Sequence, residues 1–217
     1  MAKLCIYCGE REGVTDDHAP PKCFFPKPRP SNLITVPCCL ECNREMGRDD
    51  ERIRNILTSL EATENHDSIK NQLSRIRDRS YSRDEGSSNL YHIIDSIQLA
   101  DVYSREGIYL NTKPTFNLDQ VHMDRFIEKM TRALLYYEND IGYVVCCIEW
   151  RMSLSVEDLG LMSSGLRSFI ASAEVKKIGD GIFSYIGYYK HSTANSLWLL
   201  NFYNGIEFMS ILREEIC

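Results

Sequence analysis

The sequence predicts an α+β protein, with a cysteine-stapled N-terminal unit followed by a C-terminal α+β unit that carries an antiparallel sheet. Three observations predict it. Two Cys-x-x-Cys pairs, Cys5/Cys8 and Cys39/Cys42, bracket a stretch rich in Pro and Gly. Ile53, Ile56, Leu57 and Leu60 then recur at helical spacing. The last third alternates aromatic and β-branched runs around Asn204-Gly205, a two-residue hairpin signal.

Taken in order, Pro20, Pro21, Pro26, Pro28 and Pro30 rule out a helix in residues 1–38, because proline lacks the donor and crowds the preceding turn. The short run Leu33-Ile34-Thr35-Val36 reads as a strand, and the helical stripe sets a helix from about Leu40 to Ala62. Ile69, Leu73 and Ile76 give a second, polar helix carrying Arg75, Arg77 and Arg79. From Tyr81 to Asn89 the composition is that of a flexible linker. Asp119 is placed to cap a helix whose Phe126, Ile127, Met130, Leu134 and Tyr137 share one face. Tyr143–Trp150 is a strand run, with Cys146 and Cys147 as buried small hydrophobes in it. Ser155 with Asp158 opens a helix that reaches about Ala173. Residues 181–189, 196–203 and 206–212 are the remaining strand runs. The division expected is 1–62, a helical, partly flexible linker over 63–90, and 91–217.

The bulk numbers exclude several classes. The chain has 217 residues and a net charge of −6, which does not mark a general nucleic-acid binder. The charge is uneven, however. Residues 1–60 carry nine basic and nine acidic side chains, while 91–217 carry eleven and sixteen. No apolar run approaches the roughly 18–20 residues that span a bilayer, so no membrane partner is expected. The N-terminus shows no signal-peptide core, which gives a cytoplasmic expectation. In such a chain, paired cysteines read as metal ligands rather than disulfides.

Cys5, Cys8, Cys39 and Cys42 form a candidate tetrahedral zinc set, with Cys38 as a competing register. Between the pairs lies Asp17-His18, and Asn32 and Asn43 follow. A neutral imidazole at His18 can take a proton from water. The carboxylate of Asp17 and the amide oxygen of Asn43 are hard donors suited to Mg²⁺ or Mn²⁺. Such an ion polarises a phosphate and stabilises a leaving oxygen. Asn32 is expected to fix the loop around His18. Lys22, Lys27, Arg29, Arg44 and Arg48 lie beside the motif as candidate phosphate contacts. His66, His92, His122 and His191 lack ligand-like neighbours and read as structural.

The segments Cys5-Ile-Tyr-Cys8, Asp17-His18-Ala-Pro-Pro, Asn32-Leu-Ile-Thr-Val-Pro and Cys39-Leu-Glu-Cys42-Asn43 resemble the HNH endonuclease family, the ββα-metal nucleases. The resemblance covers about residues 3–60, with Asn in the third motif position instead of His. It implies a zinc-stapled ββα-metal domain that hydrolyses DNA phosphodiester bonds. His18 would be the general base, Asp17 and Asn43 the ligands of a catalytic divalent ion, and Asn32 a structural residue. Residues 91–217 would dimerise, choose the target, or answer to a regulatory protein partner. A role in bacterial antiviral defence or in a mobile element is consistent with this. The alternative is a non-catalytic zinc-stapled module that binds nucleic acid or protein.

Overall fold

The computed structural model describes residues 3–104, 106–152, 164–190 and 193–214. It is a mixed α+β structure with antiparallel sheets. Strands β1 (Thr15–Ala19) and β2 (Ile34–Cys38) form a two-stranded sheet, followed at once by helix α1 (Leu40–Leu57). A 3-10 turn at Glu61–Thr63 and a π-helical turn at Ile69–Leu73 lead into α2 (Ser74–Tyr81) and α3 (Asp84–Asp95). Strands β3 (Gln98–Tyr103) and β4 (Tyr109–Thr115) make a separate exposed hairpin. Helix α4 (Gln120–Asn139) precedes β5 (Cys146–Met152), α5 (Ser164–Ser172) and strands β6 (Lys176–Ile178), β7 (Phe183–Tyr189), β8 (Ser196–Phe202) and β9 (Ile206–Glu214). The main sheet is antiparallel in the order β5-β9-β8-β7-β6.

The core is continuous from end to end of the chain. Phe24, in the Pro-rich stretch, is fully buried against Phe126 of α4 (ring centroids 5.5 Å), Phe202 of β8 and Tyr203. Ile34 and Val36 of β2 and Ile53 and Leu57 of α1 join Met123, Met130 and Trp198 in the same apolar cluster. Helix α4 packs on β1, β2 and α1 on one side and on β5 and β9 on the other. Phe126, Ile127, Met130 and Leu134 follow the predicted stripe, because one long helix is the common wall of both predicted units, whereas Tyr137, expected on the same face, is exposed.

Several expectations change in detail. Helix α2 lies where the second helix was expected, and α3 runs through the segment expected as a flexible linker. Buried Ile69 and Leu73 anchor the preceding turn to the core. Helix α1 stops at Leu57, where the Thr58 hydroxyl donates back to the Arg54 carbonyl. Strands β1, β3, β4 and β6 carry no clear alternation and were not expected from pattern. Asp119 does stand at the N-cap of α4, but its carboxylate accepts from Arg52 rather than capping the helix. Cys147 is exposed and Cys146 half-buried, because β5 is an edge strand. The expected helix start at Ser155 and Asp158 lies outside the described residues.

The β8–β9 turn is also shifted by one residue. The left-handed pair is Tyr203 and Asn204, closed by the Gly205 N–H donating to the Phe202 carbonyl. Tyr203 tolerates that conformation because its ring is buried and its hydroxyl donates to the Phe24 carbonyl. Gly205 is required for another reason: a Cβ there would lie 2.2 Å from the Ala62 carbonyl oxygen.

Candidate functional site

The four predicted cysteines come together. Cys5, Cys8, Cys39 and Cys42 place their sulfurs within 4.8 Å of one another, which suits a single tetrahedral metal ion. Cys38 is not in the set; its thiol donates to the Cys39 carbonyl and burial pushes its pKa up. Two local structures build the cluster. The first is the Cys5–Gly9 turn, closed by Gly9 N–H to the Cys5 carbonyl at 2.9 Å. Gly9 has φ of +68°, and a Cβ there would strike the Tyr143 ring. The second is the N-terminus of α1, where Cys39 is the N-cap and its sulfur accepts from the Cys42 N–H. Burial, then the hydrogen bond with Cys39, push the Cys42 thiol up. The Cys8 thiol is penalised by burial, yet backbone donors from Arg11 and Glu10 bring it down to about 6.

Beside the cluster, β1 carries the Asp-His step in register with β2: Asp17 lies opposite Val36 and His18 opposite Thr35. Adjacent strand residues point to opposite faces. Asp17 is buried, whereas Asp16 and His18 face outward on the other side. Together with Asn43, Gly47, Asp50, Glu51 and Arg54 of α1, these residues line a cleft of about 520 Å³. Asn43, Gly47, Asp50 and Arg54 recur along one face of α1, and the absent side chain at Gly47 opens the floor.

Burial, then the Lys22 ammonium, hold the His18 imidazole below its ordinary value, against the pull of Asp17 and Asp16. The ring is therefore neutral near physiological pH and able to accept a proton. Asn43 is positioned twice. Its backbone N–H donates to Cys39, and its side-chain amide donates to the Thr15 hydroxyl at 3.0 Å. Thr15 in turn donates to the Cys38 carbonyl at 2.7 Å. The zinc-type cluster, β1 and the first turn of α1 are thus joined by one hydrogen-bonded chain.

Asp17 accepts from the Tyr7 hydroxyl at 2.7 Å and from the Lys129 ammonium at 3.2 Å. Burial, then Asp17, raises the Tyr7 pKa well above its usual value, so the phenol remains a donor. Lys129 also donates to both oxygens of Asp50, at 2.7 and 3.0 Å. Sequence reasoning missed Tyr7, Lys129 and Asp50. No local pattern links residues 7, 17, 50 and 129, so only the fold could find them. Asp16, next to the predicted pair, was also missed, because β1 itself was not expected from pattern.

The other predicted residues divide. Asn32 lies apart from His18; its amide donates to the Lys177 carbonyl at 3.0 Å and ties the β1–β2 connection to β6. The expected bond to the loop around His18 is replaced by one to the sheet, because β6 packs over that connection. Lys22 lines the cleft, whereas Lys27 is exposed and its backbone pairs with Gln72. Arg29 donates to the Lys22 carbonyl and so braces that loop. Arg44 and Arg48 line a second groove of about 1000 Å³ on the outer side of α1, with Arg52, Arg83 and Arg125. The last three each meet a carboxylate there (Asp119, Glu51 and Asp49). In the Arg75–Arg79 cluster, Arg77 donates to the Thr58 carbonyl and joins α2 to α1. His122 departs from expectation: it contacts Asp49 at 2.5 Å and Asp119 at 3.3 Å. His66 is structural, set between the Gly181 carbonyl and the Tyr203 ring.

Compared with protein-family models, curated proteins and solved structures, the chain matches none of them. Among the described residues, no helix is long and apolar enough to cross a membrane.

Proposed function

We propose that this protein is a metal-dependent endonuclease of the HNH kind, cutting phosphodiester bonds in DNA from the cleft between β1 and α1. The observation that carries the reading is the convergence of His18, Asp16, Asp17 and Asn43 on one cleft beside a four-cysteine cluster. In this reading the cysteines hold structural Zn²⁺, which fixes the start of α1 and thereby Asn43. His18, kept neutral by burial, accepts a proton from the attacking water. Lys22, on the cleft rim, meets a phosphate oxygen, and Arg44 and Arg48 extend the basic surface along α1. The Asn43 amide nitrogen is committed to Thr15, so its carbonyl oxygen is the atom offered to a cation. Held by Asp17 and Asn43, Mg²⁺ or Mn²⁺ would supply positive charge for the scissile phosphate.

One observation favours a second reading, a non-catalytic nucleic-acid module: Asp17 is buried and already engaged by Tyr7 and Lys129. Plasmid nicking separates the two. Wild type with Mg²⁺ or Mn²⁺ is expected to nick, and His18→Ala to lose about 10²–10⁴ in rate while keeping zinc content and melting temperature. Equal cleavage by both proteins sinks the assignment of His18, and no cleavage by wild type leaves the binding module.

A further inference from the structure

Behind the cleft, α4 delivers a lysine to the one buried carboxylate of the Asp-His step. Lys129 is 2% exposed, and its partners Asp17 and Asp50 are each 7% exposed. Charges buried to this degree persist only when paired and hydrogen-bonded, and here each is. The ammonium bridges β1 to α1, meeting Asp17 at 3.2 Å and Asp50 at 2.7 Å. Tyr7, from the first cysteine turn, holds Asp17 from another direction. A lysine kept only for packing needs one carboxylate partner. This one has two, and the second is the residue before His18. One ammonium against two carboxylates also leaves a negative charge, and both carboxylates border the cleft. Lys129 itself does not line that cleft, so it acts from behind.

We propose that Lys129 is a positioning residue for the cleft: its ammonium clamps Asp17 against Asp50 and so fixes the β1 segment that presents His18. The inference rests on the nuclease reading above and deepens it. It gives the C-terminal region a definite part in the site, because residues 1–62 lack the clamp.

The test uses the full chain in three forms: wild type, Lys129→Met, and Lys129→Met with Asp50→Asn. The double variant keeps the cluster at one negative charge, as in wild type, so it removes the clamp without adding buried charge. Zinc content and thermal melting report the fold. The His18 ring resonances, in protein that keeps its zinc but is given no Mn²⁺, report position. Mn²⁺ titration followed by electron paramagnetic resonance, and plasmid nicking, report the site. The double variant is expected to fold, to shift the His18 resonances, and to weaken Mn²⁺ binding and nicking by about 10–100-fold. A folded double variant with wild-type His18 resonances, Mn²⁺ affinity and rate overturns the proposal and leaves Lys129 a stability residue. If wild type neither binds Mn²⁺ nor nicks, the nuclease reading fails. The His18 resonances then decide the clamp alone, a shift supporting it and no shift overturning it.

Discussion

Helix α4 carries two ionic clusters, one buried and one half-buried, and they are built on opposite plans. At its middle, Lys129 serves two carboxylates, Asp17 and Asp50. Near its end, Glu138 receives three donors: Lys176, the Tyr185 hydroxyl at 2.6 Å and the Tyr189 hydroxyl at 3.1 Å. Burial alone raises the Glu138 pKa, but these donors reverse the sign and hold it below the usual carboxylate value. At the other cluster burial prevails over Lys129, and Asp50 is pushed up to about 7. The Lys129 ammonium is also penalised by burial, yet Asp50 and Asp17 carry its pKa upward, so it stays charged. The Glu138 cluster satisfies its one charge and pins α4 to the main sheet. The Lys129 cluster sets one ammonium against two carboxylates beside a cleft, and Asp50, the one burial penalises, gains and loses its charge around pH 7. A fully donated carboxylate ties two elements together, whereas a shared ammonium leaves Asp17 and Asp50 to compete for one counter-charge.

The comparison breaks first at the metal. Stripping the four-cysteine cluster with a chelator, or with Cys39→Ala, is expected to cost the β1–β2–α1 segment its hydrogen-exchange protection while β7 and β8 keep theirs. Equal loss in both places would mean that the ends are not separable. Next in size, Lys129→Met leaves two buried carboxylates without a counter-charge and is expected to cost about 3–5 kcal/mol by chemical denaturation. Glu138→Gln keeps one acceptor oxygen for Tyr185 and puts an amide NH2 where Lys176 and Tyr189 donate, a cost of about 1–2 kcal/mol. A reversed order would refute the contrast between the two plans.

The pH arms run in opposite directions. Because the Glu138 pKa is lowered in the folded chain, its stabilising effect is present above the ordinary glutamate value and is lost as pH falls through the folded value. The Asp50 pKa is raised, so its effect is fully present below the ordinary aspartate value and is lost as pH rises through about 7. Melting curves between about pH 2.5 and 8 are therefore expected to lose their upper decline in Asp50→Asn and their acid decline in Glu138→Gln. The smallest effect belongs to Thr15→Val, which removes one acceptor from Asn43. It should cost about 1 kcal/mol and slow nicking without changing zinc content.

Much of the candidate site was written in short spacings. The Cys-x-x-Cys pairs, Asp17-His18 and Asn43 lie within 40 residues, and local turns and a helix start suffice to bring them together. Asn32 was misjudged because its partner, Lys177, lies 145 residues away. The helix through residues 84–95 was hidden by its Ser- and Gly-rich composition. Strands β3 and β4 were hidden because neither buries a face and so neither alternates.

The sequence by itself determined the four-cysteine staple, the helix after it and four of the five strands of the main sheet, β6 excepted, since each depends on spacing or periodicity within one segment. Only the tertiary structure decided that the two predicted units share one core through α4. It alone decided that Asp17 turns inward while His18 turns outward, and that Lys129 stands behind them. A buried charge is held by whatever opposite charge the fold brings to it, and no local pattern in the chain records that partner.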